Sequence, residues 1–319
     1  MSRLRADLLL LFAAAIWGLA FVFQKTAMGS LGPLTFIAAR GLIAALALAP
    51  LAIVEHQRAR AAGGSADHLF LPAGLVRAAV VAGLVFAMAA ALQQAGLITA
   101  TASNAGFLTA LYVVLTPPIA WLLRGAQPSR VILPAVALSA LGTWMLGGGA
   151  IGAFSSGDLL VALCAVFWAL HVVLSEGGSA FDRPILFTAL QFLTVGTVAA
   201  FGAAAFEAVT IAALRAAAGE ILYVGLLSSA LTFTILTAAL KYAPSSEAAV
   251  IVSTESLFAA LAGALLLGER LSALAWAGAV LIMAAVILVQ WGGWRARPSH
   301  RSPGIPEPIS GRPADTPSA

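Results

Sequence analysis

The sequence predicts an all-α membrane protein: ten transmembrane helices in two inverted five-helix repeats. Three observations carry that expectation. Of 319 residues, 61% are hydrophobic and 9% are charged, and the mean hydropathy is +1.00. A water-soluble domain is nearer half apolar and a quarter charged, so an ordinary soluble fold is excluded. Apolar runs then recur ten times, each close to the roughly 20 residues that a helix needs to cross a bilayer. Finally, the second half of the chain repeats the first in register.

Taken in order, the runs cover 7–28, 33–54, 72–98, 104–123, 130–147, 158–176, 184–206, 220–240, 245–267 and 272–291. They are apolar all round, whereas a membrane strand alternates in polarity over about ten residues. In lipid, such a run satisfies its own backbone only as a helix. The connections at 29–32 and 99–103 are tight, so their flanking helices are antiparallel neighbours. Beyond them lies 292–319, where Pro298, Pro303, Pro306, Pro308, Pro313 and Pro317 stand among Ser and Gly. That segment has no apolar face to bury and is expected to be a disordered cytoplasmic tail.

Lysine and arginine counts set the orientation. With the N-terminus inside, thirteen basic residues fall on the cytoplasmic side, while Lys25, Arg215 and Arg270 fall opposite and Arg40 lies within a span. Both termini are therefore expected in the cytoplasm, with the chain a multi-pass protein of the inner or plasma membrane. The high pI, near 9.8, follows from this topology. The basic residues are scattered between apolar runs, so no nucleic-acid partner is expected. Cys164 is the one cysteine, which rules out an intrachain disulfide or a thiolate cluster. No cofactor or metal is expected, and no hydrolase elbow, zinc-protease motif or phosphate loop occurs. The chain does not read as an enzyme.

The repeat is visible at an offset of 151. Asp7 through Trp17 aligns without gaps on Asp158 through Trp168, and the same offset carries Pro33 onto Pro184, Phe36 onto Phe187 and Arg40 onto Gln191. Duplication is the simple account, and a duplicated first span reads as a spanning helix rather than a cleaved leader. Units of five spans, an odd number, make the second copy upside down. The units are expected at 6–148 and 157–291. Inverted repeats are a signature of carriers that alternate access between two faces, because two like halves can exchange conformations at similar energy.

Ile16-Trp-Gly-Leu-Ala-Phe-Val-Phe-Gln-Lys25 resembles the first helix of EamA-type carriers of the drug/metabolite transporter superfamily. Residues 101–118, from Thr101-Ala-Ser-Asn-Ala-Gly to Thr116-Pro117-Pro118, are similar to the stretch between that family's third and fourth helices, and Leu265-Leu-Leu-Gly-Glu-Arg270 to the end of its ninth. The resemblance spans about 6–291. It implies a ten-helix carrier with a central cavity lined by both repeats, exporting amino acids, amines or related small metabolites. Where the family often has proline after the ninth-helix glutamate, this chain reads Ser253-Thr-Glu-Ser256. An uptake permease of the same fold is the alternative within transport. A membrane-embedded enzyme or a scaffold is the alternative outside it.

Ionisable residues within spans are costly and mark function. Arg40 is a candidate anchor for a solute carboxylate. Glu255, near mid-membrane, is a candidate for proton coupling or amine binding, which makes protons a candidate partner beside the metabolite and the lipid bilayer. Each is equally accounted for by a structural ion pair. Trp17 and Trp168 occupy equivalent mid-span positions, away from the interfaces where tryptophan usually anchors, and are candidates to stack on solute. His171, one turn beyond Trp168, can titrate near physiological pH. Gln94, Asn104, Tyr112 and Gln191 are further polar candidates, although such side chains also glue helices together. Of adjacent Gln93 and Gln94, one at most is expected to face the cavity. Pro117 and Pro118 are candidate hinges, since proline breaks the helical ladder and frees carbonyls. Lys25 and Glu176, equivalent in the repeat, read as gate charges near opposite faces.

Overall fold

The computed structural model describes residues 1–63, 71–125, 127–146, 155–266, 268, 270 and 272–295; the expected tail beyond Arg295 lies outside them. The described residues are helical throughout, without strands. In chain order the helices are α1 (Arg3–Ala27), α2 (Pro33–Gly63), α3 (Ala73–Gly96), α4 (Ala102–Thr109), α5 (Tyr112–Arg124), α6 (Ile132–Leu146) and α7 (Ser156–Ser179). There follow α8 (Pro184–Phe206), α9 (Ile211–Ala216), α10 (Ala218–Leu222), a π-helical stretch Tyr223–Leu231 that runs into α11 (Thr232–Ala239), α12 (Ser245–Val252), α13 (Glu255–Leu266) and α14 (Ala273–Arg295). Eight helical segments are long and apolar enough to cross a membrane, with Ala102–Arg124, Ala218–Ala239 and Ser245–Leu266 each counted as one. Two shorter apolar helices, Ile132–Met145 and Ala273–Val289, stand where the fifth and tenth runs of the sequence lie. Leu122, Phe201, Phe206 and Leu265 are largely exposed, as a lipid-facing surface requires.

Breaks divide the fourth and ninth runs. The fourth is interrupted at Ala110–Leu111 and the ninth at Ser253–Thr254, each after a first piece of eight residues. Pro117 and Pro118, expected at the break, lie inside α5 instead. Their missing N–H groups cost only the bonds to the Val113 and Val114 carbonyls, one turn back, and the helix continues through that turn, whereas the interruption lies farther off. In the ninth run hydroxyls line the break. Ser253, Thr254 and Ser256 donate to the carbonyls of Val250, Ile251 and Ser253 at 2.7, 2.7 and 2.8 Å. The Ile251 and Ser253 carbonyls also accept from the backbone N–H groups of Thr254 at 3.3 Å and Ser256 at 3.1 Å, so hydroxyls and tightened turns together satisfy the carbonyls at the break.

The α2–α8 pair forms a spine. At one end the Glu207 carboxylate accepts from the Leu34 and Thr35 backbone N–H groups, both at 2.8 Å, and from the Thr35 hydroxyl at 2.7 Å. At the other, Glu55 accepts from the N–H groups of Leu186 at 2.8 Å and Ile185 at 3.3 Å. Each helix thus receives at its N-terminus an anion from beside its partner's C-terminus, which satisfies orphan amides and suits the helix dipole. The two helices are antiparallel. A Cβ on Gly41 would lie 3.0 Å from the Gly196 Cα, so their backbones cross with no room for a side chain. Such close approach is how apolar helices gain contact energy in lipid. Around the spine, α3 packs on α7 and α8, α1 on α11 and α13, and α6 on α14.

Candidate functional site

A cavity opens between the helices where the broken runs, α1, α2, α3, α7 and the π-helical stretch converge. Six of the side chains singled out from sequence border it: Trp17, Arg40, Tyr112, Trp168, His171 and Glu255. Its lining has the character of small-molecule sites, which are typically apolar with a few placed polar groups.

The walls are aromatic. Phe86 on α3 and Phe233 on α11 stand with ring centroids 5.0 Å apart. Trp17 packs on Phe233 and Trp168 on Phe86, each at 4.8 Å. Both indoles are tethered. Trp168 Nε1 donates to Gln93 Oε1 at 2.7 Å, and Trp17 Nε1 donates to the Ser228 carbonyl at 2.9 Å. That carbonyl belongs to the π-helical stretch and also accepts from the Thr232 hydroxyl at 2.6 Å. A widened turn presents backbone groups that a regular α-helix keeps for itself, so the irregular segment has a definite role here.

Polar groups are set into these walls. Arg40 is 4% exposed, and its guanidinium lies over the rings of Phe36 and Phe86 at 5.9 and 5.5 Å. Among the described residues it has no ion pair, and its Nε has no hydrogen-bond partner. Glu255 opens α13 directly after the break. Its carboxylate interacts with the Tyr112 hydroxyl, while its Oε1 is buried with no hydrogen-bond partner among the described residues. Arg40 and Glu255 therefore do not neutralise each other. His171 Nε2 faces Gln191 Oε1 at 3.1 Å and the Ser175 hydroxyl at 3.3 Å, and its Nδ1 has no hydrogen-bond partner among the described residues. Gly18 lets α1 approach this region: a Cβ there would meet the Glu255 carbonyl and the Ala259 N at 2.7 Å.

Other candidates stand elsewhere. Gln93, not Gln94, borders the cavity; Gln94 is fully buried and donates to the Gln24 carbonyl at 3.1 Å, because adjacent residues on a helix point about 100° apart. Asn104 sits at the start of α4, where its Nδ2 donates to Asp158 at 3.4 Å. Gln191 lies behind His171 as its partner. Pro117 and Pro118 do not border the cavity. Sequence reasoning passed over Phe86, Phe233, Gln24, Thr109 and Ser228. The phenylalanines carry no sign distinguishing them from core residues, and Ser228 contributes through its backbone.

Ties close both ends of the bundle. Beside the N-terminus, Arg3 donates to Asp7 at 3.0 Å and to Glu247 of α12. Tyr242 accepts from the Met1 ammonium at 3.2 Å, and Lys241 pairs with Asp182. Glu176 lies 3.8 Å from Arg124 Nε and accepts from Ser245 N at 3.3 Å. At the opposite end, Lys25 donates to the carbonyls of Leu97 at 2.7 Å and Ile98 at 3.1 Å.

Comparison with known proteins bears on this arrangement. The model of the EamA-like transporter family matches the chain twice, over residues 4–148 and 155–291. An uncharacterized transporter of Archaeoglobus fulgidus is 31% identical over 297 residues, covering 90% of this chain and 86% of the relative. A solved crystal structure of a protein superposes with a TM-score of 0.70 at 18% identity, over 92% of this chain and 99% of that one. That last likeness concerns the fold alone.

Proposed function

The chain belongs to the EamA-like transporter family, and from that premise we propose that it exports a small metabolite (an amino acid, amine or related compound) across the cytoplasmic membrane by alternating access. One observation carries the reading. Among the described residues, Arg40, His171 and Glu255 each keep a buried polar atom without a hydrogen-bond partner, and all three border one cavity. Buried polar groups in a finished core find partners. Three that lack them around an open space are suited to a ligand that supplies the partners. A scaffold has no use for this cost.

The broken helices support the inverted repeat. Their first pieces, Ala102–Thr109 and Ser245–Val252, are related by an offset of 143, which also carries Tyr112 onto Glu255. The helices α2 and α8, equivalent at the offset of 151, run antiparallel and exchange carboxylate caps, as twins in inverted units do. The two short apolar helices then complete ten spans, with both termini cytoplasmic. The ties at the two ends serve as alternate gates: Lys25 and Glu176 occupy equivalent places, as do Asp7 and Asp158. In this scheme Trp17 and Trp168 flank the solute, and the breaks beside Tyr112 and Glu255 are the bending points. Discontinuous helices at a central site are a recurrent device of carriers.

Glu255 is the coupling group. As each gate opens in turn, its carboxylate meets one aqueous side and then the other, and exchanges a proton with each. The test is flux in proteoliposomes carrying an imposed pH gradient, with solutes drawn from a screen of metabolites released by cells overproducing the protein. Wild-type protein transports against a solute gradient when protons flow the other way, and Glu255→Gln abolishes that accumulation while inserting normally. Equal accumulation by Glu255→Gln removes the coupling role. Accumulation inside cells rather than release reverses the direction.

A further inference from the structure

Resting on the transport reading, we propose that the recognised group of the solute is a single carboxylate held by Arg40, so that the substrates are organic monocarboxylates and amines without an acid group are excluded. Four features of the site lead there. Arg40 is buried and has no ion pair among the described residues. A buried cation lacking a counter-ion is costly in a bilayer, and the solute is the one component of the system able to bring the missing charge to this place.

The geometry narrows the anion. The Phe36 and Phe86 rings occupy the guanidinium's neighbourhood at 5.9 and 5.5 Å, an arrangement in which aromatic rings attract the cation but accept no directed hydrogen bond. The N–H groups stay available. A guanidinium presents them in a planar fork that a carboxylate matches with two parallel hydrogen bonds. A phosphate dianion brings a second negative charge, and the lining holds no lysine or second arginine to meet it, while Glu255 borders the same space.

The repeat strengthens the assignment. The offset of 151 carries Arg40 onto Gln191, and Gln191 is engaged with His171 at 3.1 Å. One of two equivalent positions is thus a neutral amide satisfied within the protein, and the other a cation that is not. A purely structural requirement common to both units does not account for a charge in one alone. The inverted symmetry therefore yields a cavity with one anion-reading wall. The body of the solute lies among Trp17, Trp168, Phe86 and Phe233.

The experiment is ligand-induced thermal stabilisation of the purified, detergent-solubilised protein, using matched sets. Each set is an amino acid, its des-amino acid, its methyl ester and its decarboxylated amine, with inorganic phosphate added as a separate probe. At least one acid and its des-amino partner are expected to stabilise the protein, whereas the ester, the amine and phosphate are not. Arg40→Gln weakens that stabilisation by about tenfold to a hundredfold in affinity, the loss of one charge-assisted pair. Arg40→Met removes a buried unpaired charge and is expected to fold at least as well, which separates lost binding from lost structure. An ester or amine binding as well as its acid, unchanged affinity in Arg40→Gln, or no response to any acid overturns the proposal. Flux is read separately: carboxylate binding without transport sinks the carrier reading and leaves the Arg40 assignment standing, and transport of amines alone does the reverse.

Discussion

Arg3 gives the sharpest test of the gates. It joins Asp7 on its own helix to Glu247 on α12, so its removal loses two attractions and leaves two carboxylates facing one another. The side chains of Arg3, Asp7 and Glu247 are 25%, 4% and 16% exposed, so the cluster is shielded but not dry. At an effective dielectric of 20, a pair 4 Å apart attracts by about 4 kcal/mol. Desolvation and side-chain ordering offset most of that, and exposed pairs retain about 0.2–1 kcal/mol. Only the Arg3–Glu247 pair joins two helices, since Asp7 shares a helix with Arg3; taking about 1 kcal/mol for it, Arg3→Ala weakens closure of this end by about 1 kcal/mol, or about fivefold in the ratio of closed to open. The chain's one cysteine, Cys164, is buried, so Cys164→Ser gives a clean background. Leu236 borders the cavity on α11, one turn before the segment holding Tyr242. Maleimide labelling of Leu236→Cys is expected to accelerate about fivefold in Arg3→Ala, provided labelling follows the open population. An unchanged labelling rate in protein that stays folded and monodisperse refutes the gate.

Two further outcomes follow from packing and caps. Gly18→Leu drives α1 away from the Glu255 carbonyl and the Ala259 N, at a cost of about 1–3 kcal/mol; a lowered melting temperature and lost flux check it, and wild-type values refute the close approach. Glu207→Gln and Glu55→Gln each weaken one charged cap by about 1 kcal/mol. Their thermal unfolding shifts are expected to be similar, and a shift confined to one of them breaks the equivalence of the two ends.

Much of the fold was legible because lipid imposes a simple rule on composition. Apolar runs of the right length, and an ungapped match from Asp7 to Trp17, are enough to lay out helices and a duplication. The same register was lost beyond the second helix of each unit, since the offset falls from 151 to 143 across unequal loops and the π-helical stretch. Tyr112 and Glu255 therefore did not look like twins. Ionisable and indole side chains stood out against an apolar background, and six of them meet at the cavity. Gln93 was indistinguishable from Gln94 without the helical phase. Phe86 and Phe233 look like any core phenylalanine, and no side-chain pattern signals a carbonyl such as that of Ser228.

The exchanged caps of α2 and α8 bear on how the chain is assembled. The amides of Leu34 and Thr35 wait for an acceptor that the ribosome delivers some 170 residues later. Until Glu207 arrives, the early helix keeps bare donors at its start, and a fragment ending after the first half never acquires their acceptor. Each half alone leaves one helix start uncapped, so docking of the two halves is the expected last step of assembly.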